Sequence, residues 1–153
     1  ILELVEGVTL HKFLSPGGGE EQPKESDHYQ IIVDLCGALK YLHEHNPPIV
    51  HGDVKPANAL IERLSPASGS SRVRLKLLDF GLSRLLGRNV RPLGGTVGWA
   101  APEAFKTGVR PSPISDVYSF GRIVHYVVSR EDPYQGLSAR TILRRCRSTR
   151  RPP

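Results

Sequence analysis

The chain has 153 residues, 39% of them hydrophobic and 24% charged, which is ordinary globular usage and excludes a fibrous repeat or a wholly disordered chain. One hydrophobic core is expected, in one domain or part of one, and no apolar run approaches the about 18 residues a membrane-spanning helix needs. The net charge of +6 is uneven: Arg140, Arg144, Arg145, Arg147, Arg150 and Arg151 crowd the last stretch without interleaved aromatic side chains, so an acidic partner is expected there rather than nucleic acid.

Methionine is absent, position 1 included, and the sequence opens in mid-pattern, which gives the expectation of a truncated chain. Ile1 to Leu14 read as a strand end, a turn at Gly7 and the start of a helix. Ser15 to Ser26, with Pro16, three glycines and Pro23, has the composition of a surface loop. From Asp27 onward Ile31, Ile32, Leu35, Leu39 and Leu42 recur at helical spacing until Asn46, Pro47 and Pro48 stop the pattern, so an amphipathic helix is predicted. Cys36 within it and the distant Cys146 have no metal-type spacing and read as free thiols of a reducing compartment, hence an intracellular, cytoplasmic protein.

Two apolar segments, Ala59 to Ile61 and Val73 to Leu78, flank a polar stretch and predict a hairpin with an enlarged loop. Asp116 to Val128 carries apolar side chains around most of its circumference, which predicts a central, buried helix. A last helix is expected to start at Ser138 as its cap and to run through Ile142 and Leu143 into the arginines. The fold class is therefore mainly α, an α+β arrangement of helices with one small β-hairpin.

Three blocks suggest chemistry. His51-Gly52-Asp53-Val54-Lys55-Pro56-Ala57-Asn58 lies between a helix and a strand and brings a carboxylate, an amine and an amide to one edge. Asp79-Phe80-Gly81 directly follows an apolar strand, and Gly95-Thr96-Val97-Gly98-Trp99-Ala100-Ala101-Pro102-Glu103 precedes the predicted buried helix. Singly, each is compatible with an ordinary turn, since an aspartate after a strand often caps its own backbone. Their order and their coincidence with the expected strands make chance agreement a poor account.

With these blocks the sequence resembles the protein kinase family over essentially its whole length, and specifically the family's C-terminal lobe truncated at both ends. The resemblance implies that residues 1–8 are the hinge and the end of the N-terminal lobe, and that 9–153 are most of the C-terminal lobe without its last helices. It further implies ATP and Mg²⁺ as cofactors, with the backbone of Glu3 and Val5 on adenine, Leu2 at the gatekeeper position and Leu60 beneath the ring. Asp53 would orient the substrate hydroxyl and accept its proton, and Lys55 would balance charge on the transferring phosphoryl group. Asn58 and Asp79 would supply the hard oxygen ligands that Mg²⁺ takes alongside phosphate and water. Thr96 would bond Asp53 and Lys55, a serine/threonine pattern, so a protein hydroxyl is the implied acceptor. Trp99 and the run Asp116-Val117-Tyr118-Ser119-Phe120-Gly121 resemble the tyrosine-kinase-like branch of serine/threonine kinases. His51 and Phe80 are expected to be structural, with His51 bonding toward Asp116.

One departure stands out. Gly52 occupies the position where the family usually has arginine, and Arg84 to Gly95 contains no serine, threonine or tyrosine, so control by activation-loop phosphorylation is not expected. Two alternatives stay open at this stage. His-Gly-Asp followed by an asparagine also resembles small-molecule phosphotransferases of the aminoglycoside and choline kinase type, and a pseudokinase scaffold would keep the same fold.

Overall fold

The structure is a computed structural model that describes residues 6–17, 22–64, 72–78, 84–85, 96–106, 109 and 112–148. Strand β1 (Val8–Thr9) leads directly into helix α1 (Leu10–Leu14), whose first turn is capped by Thr9 Oγ1 accepting the Lys12 N–H at 3.3 Å. The preceding Gly7 answers a steric need rather than only a turn: a Cβ there would sit 2.7 Å from the Ile61 carbonyl oxygen, so only glycine lets this segment lie against its neighbour.

Helix α2 (Glu25–His43) starts two residues before the predicted Asp27. The reason is local: the Asp27 carboxylate accepts the Lys24 N–H at 2.9 Å, so Asp27 caps from inside the first turn and the helix begins upstream of it. Its apolar period buries Ile31, Leu35, Leu39 and Leu42 as predicted, each worth about 1.5–3 kcal/mol of transfer free energy. Ile31, Leu35 and Leu39 meet Phe13 of α1 and Ile61, Val73 and Leu75 of the sheet in one core.

That sheet is built on strands β3 (Ala59–Leu64) and β4 (Arg72–Leu77), which pair antiparallel from Ala59 opposite Leu77 to Leu64 opposite Arg72. The hairpin is longer than its apolar residues alone indicated. Beyond Ile61 the pairing continues with Glu62 opposite Arg74, Arg63 opposite Val73 and Leu64 opposite Arg72, and Glu62, which also pairs with Lys76 at 3.5 Å, supports a ladder that hydrophobicity does not mark. Strand β1 adds to the other edge of β3, Val8 opposite Ile61. Strands β2 (Ile49–Val50) and β5 (Arg84–Leu85) form a second antiparallel pair that no run of apolar residues announces.

Helix α3 (Pro113–Ser129) has proline at its first position, where a missing N–H costs nothing, and ends on Arg130 in the left-handed conformation. The expectation of a helix buried all round is corrected. Ser115, Asp116, Ser119, Ile123, Tyr126 and Val127 are buried, but Val117 is 57% and Val128 69% exposed, because α2 and β2 cover one side only among the described residues. Arg130 also ties three helices: it donates to the Leu14 carbonyl at the end of α1 and to His28 Nε2 of α2, at 2.9 and 2.7 Å. Burial, and then the charge of Arg130, hold the His28 imidazole below its ordinary value.

Helix α4 (Ala139–Ser148) begins where predicted, with Ser138 Oγ accepting the Thr141 N–H at 3.2 Å. Its buried face, Ile142 and Cys146, seats on the 3-10 turn Pro102–Phe105. Both cysteines are free, Cys36 exposed and Cys146 buried, as expected. Among the described residues no helix is long and apolar enough to cross a membrane. The architecture is mainly helical with a small antiparallel sheet, in agreement with the fold class read from the sequence.

Candidate functional site

The segment from His51 to Asn58 joins β2 to β3, and its backbone is held from below. Asp116, 1% exposed in the first turn of α3, accepts the His51 N–H at 2.8 Å on Oδ2 and the Gly52 N–H at 2.9 Å on Oδ1. His43, at the end of α2, donates to the same carboxylate at 2.9 Å. Two backbone donors just past the end of β2, one buried and one half-buried, are thereby paired by one side chain. Gly52 takes φ +80°, a left-handed conformation in which a side chain would be strained.

The predicted bond between His51 and Asp116 exists, but the His51 backbone makes it. The fully buried His51 ring instead bridges two other elements: Nδ1 accepts the Asp53 N–H at 3.3 Å and Nε2 faces the Leu78 carbonyl at 3.0 Å. A ring nitrogen that accepts from an amide carries no proton, so Nε2 is the donor to Leu78. Downstream, the 3-10 turn Pro56–Asn58 is closed by Asn58 N–H on Lys55 O, and Asn58 O accepts the Leu78 N–H at 2.7 Å. The loop is thus stitched to the end of β4 from both sides.

On this base four polar side chains meet. Asp53 Oδ2 accepts from Lys55 Nζ at 2.6 Å and from Asn58 Nδ2 at 3.1 Å, while Oδ1 accepts from Thr96 Oγ1 at 2.8 Å. Lys55 Nζ also donates to Thr96 Oγ1 at 2.9 Å, and Asn58 Nδ2 to the Asp53 carbonyl at 2.9 Å. A carboxylate oxygen has two acceptor positions. Oδ2 is filled, whereas Oδ1 keeps one position open among the described residues. Burial, the largest single influence, pushes the Asp53 carboxyl up, but hydrogen bonds from Lys55 and Thr96, the Lys55 charge and the Asn58 amide together hold it below the ordinary carboxylate value. An ionised Asp53 at neutral pH can accept a hydroxyl donor and fix its direction.

Thr96 is itself fixed by a turn in which its carbonyl accepts the N–H groups of Trp99 and Ala100, both at 3.0 Å. Trp99 stands edge-on to Tyr126 of α3 with ring centroids 5.5 Å apart, and Tyr126 OH contacts His11 Nδ1 at 2.8 Å. Glu103 accepts from Ser115 Oγ at 3.2 Å, joining this segment to the base of α3.

The sequence-derived set thus divides in two. Asp53, Lys55, Asn58 and Thr96 are brought into one hydrogen-bonded cluster. Leu60 is half-buried on β3, opposite Lys76 on β4. Glu3, Val5 and Asp79, with Leu2 and Phe80, lie outside the described residues. The contribution of His43 was not foreseen, because nothing at the end of an amphipathic helix distinguishes a histidine that reaches a carboxylate 73 positions away.

Among the described residues no cluster of three or more His, Cys, Asp or Glu side chains forms a metal cage. The donor chemistry nevertheless fits Mg²⁺, which is held by one or two oxygen ligands together with substrate phosphates and water. Asn58 spends its amide nitrogen on Asp53, which leaves its amide oxygen without a protein donor among the described residues.

Residues 1–151 match the protein kinase domain family. The chain is similar to the serine/threonine-protein kinase CTR1 of Arabidopsis thaliana, 33% identical over 142 residues, which is 90% of this chain and 16% of that protein. It is also similar to the serine/threonine-protein kinase PknB of Mycolicibacterium smegmatis, 34% identical over 142 residues, covering 89% of this chain and 20% of the relative. A third relative is the mouse ankyrin repeat and protein kinase domain-containing protein 1, 31% identical over 131 residues, 80% of this chain and 16% of that protein. The chain therefore spans a fifth or less of the length of these three relatives.

Proposed function

The chain belongs to the protein kinase domain family, and from that premise we propose that its protein transfers the γ-phosphoryl group of ATP to a serine or threonine hydroxyl of another protein. The observation that carries this reading is the Asp53 carboxylate, caged by Lys55, Asn58 and Thr96 with one acceptor position open on Oδ1 among the described residues.

Asp53 receives the substrate hydroxyl at that open position, aims its oxygen at the γ-phosphorus and takes its proton as the new O–P bond forms and the bond to the bridging oxygen breaks, releasing ADP. Because the carboxyl is held below its ordinary value, it stands ionised to accept and orient the hydroxyl. Lys55 is already oriented by Asp53 and Thr96, and it stabilises negative charge on the phosphoryl oxygens without having to reorganise. Bound Mg²⁺ would neutralise phosphate charge, and Asn58 with Asp79 would hold it. The backbone of Glu3 and Val5 and the side chain of Leu60 would take the adenine.

Two features support a protein acceptor of the serine or threonine class. Thr96 bridges Asp53 and Lys55, and the names of two relatives, CTR1 and PknB, describe serine/threonine kinases. Free thiols, one of them exposed, suit a reducing intracellular compartment. The test is to incubate the full-length protein with γ-labelled ATP and Mg²⁺, offering a basic protein or an aminoglycoside. Label recovered on serine or threonine is expected; label on the aminoglycoside, or on tyrosine alone, overturns the reading.

The same site is proposed to need no phosphate on the loop between Asp79 and Glu103. Gly52 offers no guanidinium for one, and Arg84 to Gly95 offers no hydroxyl to carry one. Mass spectrometry of the active full-length protein is expected to find that stretch unmodified. A phosphate there on which activity depends would contradict this.

A further inference from the structure

Arginines in this fold are, in several places, given something to do. Arg122 donates to Tyr118 OH at 2.8 Å and lies over the Tyr134 ring, Arg63 lies over Phe13, and Arg130 holds the Leu14 carbonyl. Helix α4 departs from that practice. Arg140, Arg144 and Arg147 are exposed, and none has a hydrogen bond, ion pair or ring partner among the described residues.

Their spacing puts them together. At 100° per residue, positions 140, 144 and 147 fall within about 60° of one another and run about 10 Å along the axis. The buried pair Ile142 and Cys146 looks the opposite way, onto the turn Pro102–Phe105. The ridge therefore faces solvent squarely.

Folding does not account for it. Like charges three and four residues apart destabilise a helix, and no acidic residue interrupts this one. Arg147 sits in the last turn, where the helix dipole favours a cation, but Arg140 sits in the first turn, where the dipole opposes it. A local rule broken without internal compensation points to a demand from outside the fold. The neighbouring Lys106, close enough to act on the Cys146 thiol, adds a further positive charge rather than a balancing one.

We infer that the exposed ridge of Arg140, Arg144 and Arg147 is a docking surface for an acidic protein segment, one that presents carboxylates over about 10 Å. Guanidinium forks match carboxylates two bonds at a time, which suits a partner rich in aspartate and glutamate. The ridge carries no aromatic side chain for base stacking, so nucleic acid is the less fitting polyanion. Through Ile142 and Cys146 the ridge is seated on Pro102–Phe105, whose Glu103 bonds Ser115 of α3, one position before the Asp116 that holds the Asp53 loop. A partner bound here is carried on the same rigid platform as the site. This inference is independent of the acceptor class assigned above.

The experiment measures binding of fluorescein-labelled poly-L-glutamate to the full-length protein by anisotropy, at low and at physiological salt. The triple substitution Arg140→Glu, Arg144→Glu and Arg147→Glu is expected to weaken binding at least about tenfold at low salt and to flatten its salt dependence. The triple glutamine variant removes charge without adding repulsion and is expected to weaken binding as well, while the triple lysine variant largely retains it. Lys12→Glu, Lys24→Glu and Arg72→Glu, three exposed cations away from α4, serve together as the charge-matched control and are expected to leave binding intact. Equal loss in the control, no loss in the triple glutamate or triple glutamine variant, or tighter binding of a DNA duplex than of polyglutamate by the wild type would each overturn the inference.

Discussion

The loop from His51 to Asn58 and the helix α4 treat charge in opposite ways. In the loop, the carboxylate of Asp53 meets an amine, an amide and a hydroxyl, and the carboxylate of Asp116 meets two backbone amides and an imidazole. In α4, three guanidinium groups share a face and meet nothing described. A satisfied cluster is rigid, because moving any member breaks bonds to several others. An unsatisfied ridge leaves its groups available. The first arrangement suits chemistry that needs strict placement, and the second suits recognition that must be reversible and sensitive to salt.

The sharpest way to break this contrast is Asp116→Ala. It orphans the His51 and Gly52 N–H groups under a buried surface and is expected to cost about 2–5 kcal/mol of domain stability, with loss of transfer activity as the loop loosens. Denaturant titration of the full-length protein checks it. A loss below about 0.5 kcal/mol would mean the loop is held elsewhere.

Gly52→Ala probes the same loop more gently. The side chain must adopt the left-handed backbone now taken by glycine, and a loss of about 1 kcal/mol is expected from the same titration. An unchanged midpoint would show that the loop adjusts freely, against the picture of a rigid base.

The smallest expected effect is in acid. Asp53 has a folded-state pKa below its ordinary value, so the unfolded chain binds its proton first as pH falls. Its contribution to stability is complete above the ordinary carboxylate value and disappears as pH drops through the lower, folded value. Thr96→Val removes one donor to the carboxylate and brings the folded value back toward the ordinary one, so acid unfolding is expected to begin at slightly higher pH. Circular dichroism between pH 2 and 5 reads the shift, and displacement toward lower pH would contradict the assigned hydrogen bonds.

Much of this was legible in the sequence. The 3.6-residue recurrence of Ile31, Leu35, Leu39 and Leu42 gave α2, and Ser138 marked the start of α4, because periodicity and capping are local signals. The second strand pair was not legible, since two residues at Ile49 and two at Arg84 carry no period at all. The exposed side of α3 was missed for a related reason: apolar residues around a helix say that it can be buried, not what covers it. For the site, the resemblance assigned roles to Asp53, Lys55, Asn58 and Thr96, and these four form one hydrogen-bonded cluster. That Thr96 returns across 43 residues to Asp53 is a tertiary fact that only the resemblance anticipated. The route by which Asp116 holds the loop, through backbone amides rather than the His51 ring, leaves no trace in residue types.

The claim beneath all of this is that the Asp53 carboxylate receives the substrate hydroxyl. Asp53→Asn keeps the shape and removes the charge, so γ-label transfer from ATP to protein by the full-length enzyme should fall about 10²–10⁴-fold with the fold intact by circular dichroism. Transfer at the wild-type rate in that variant would contradict the account.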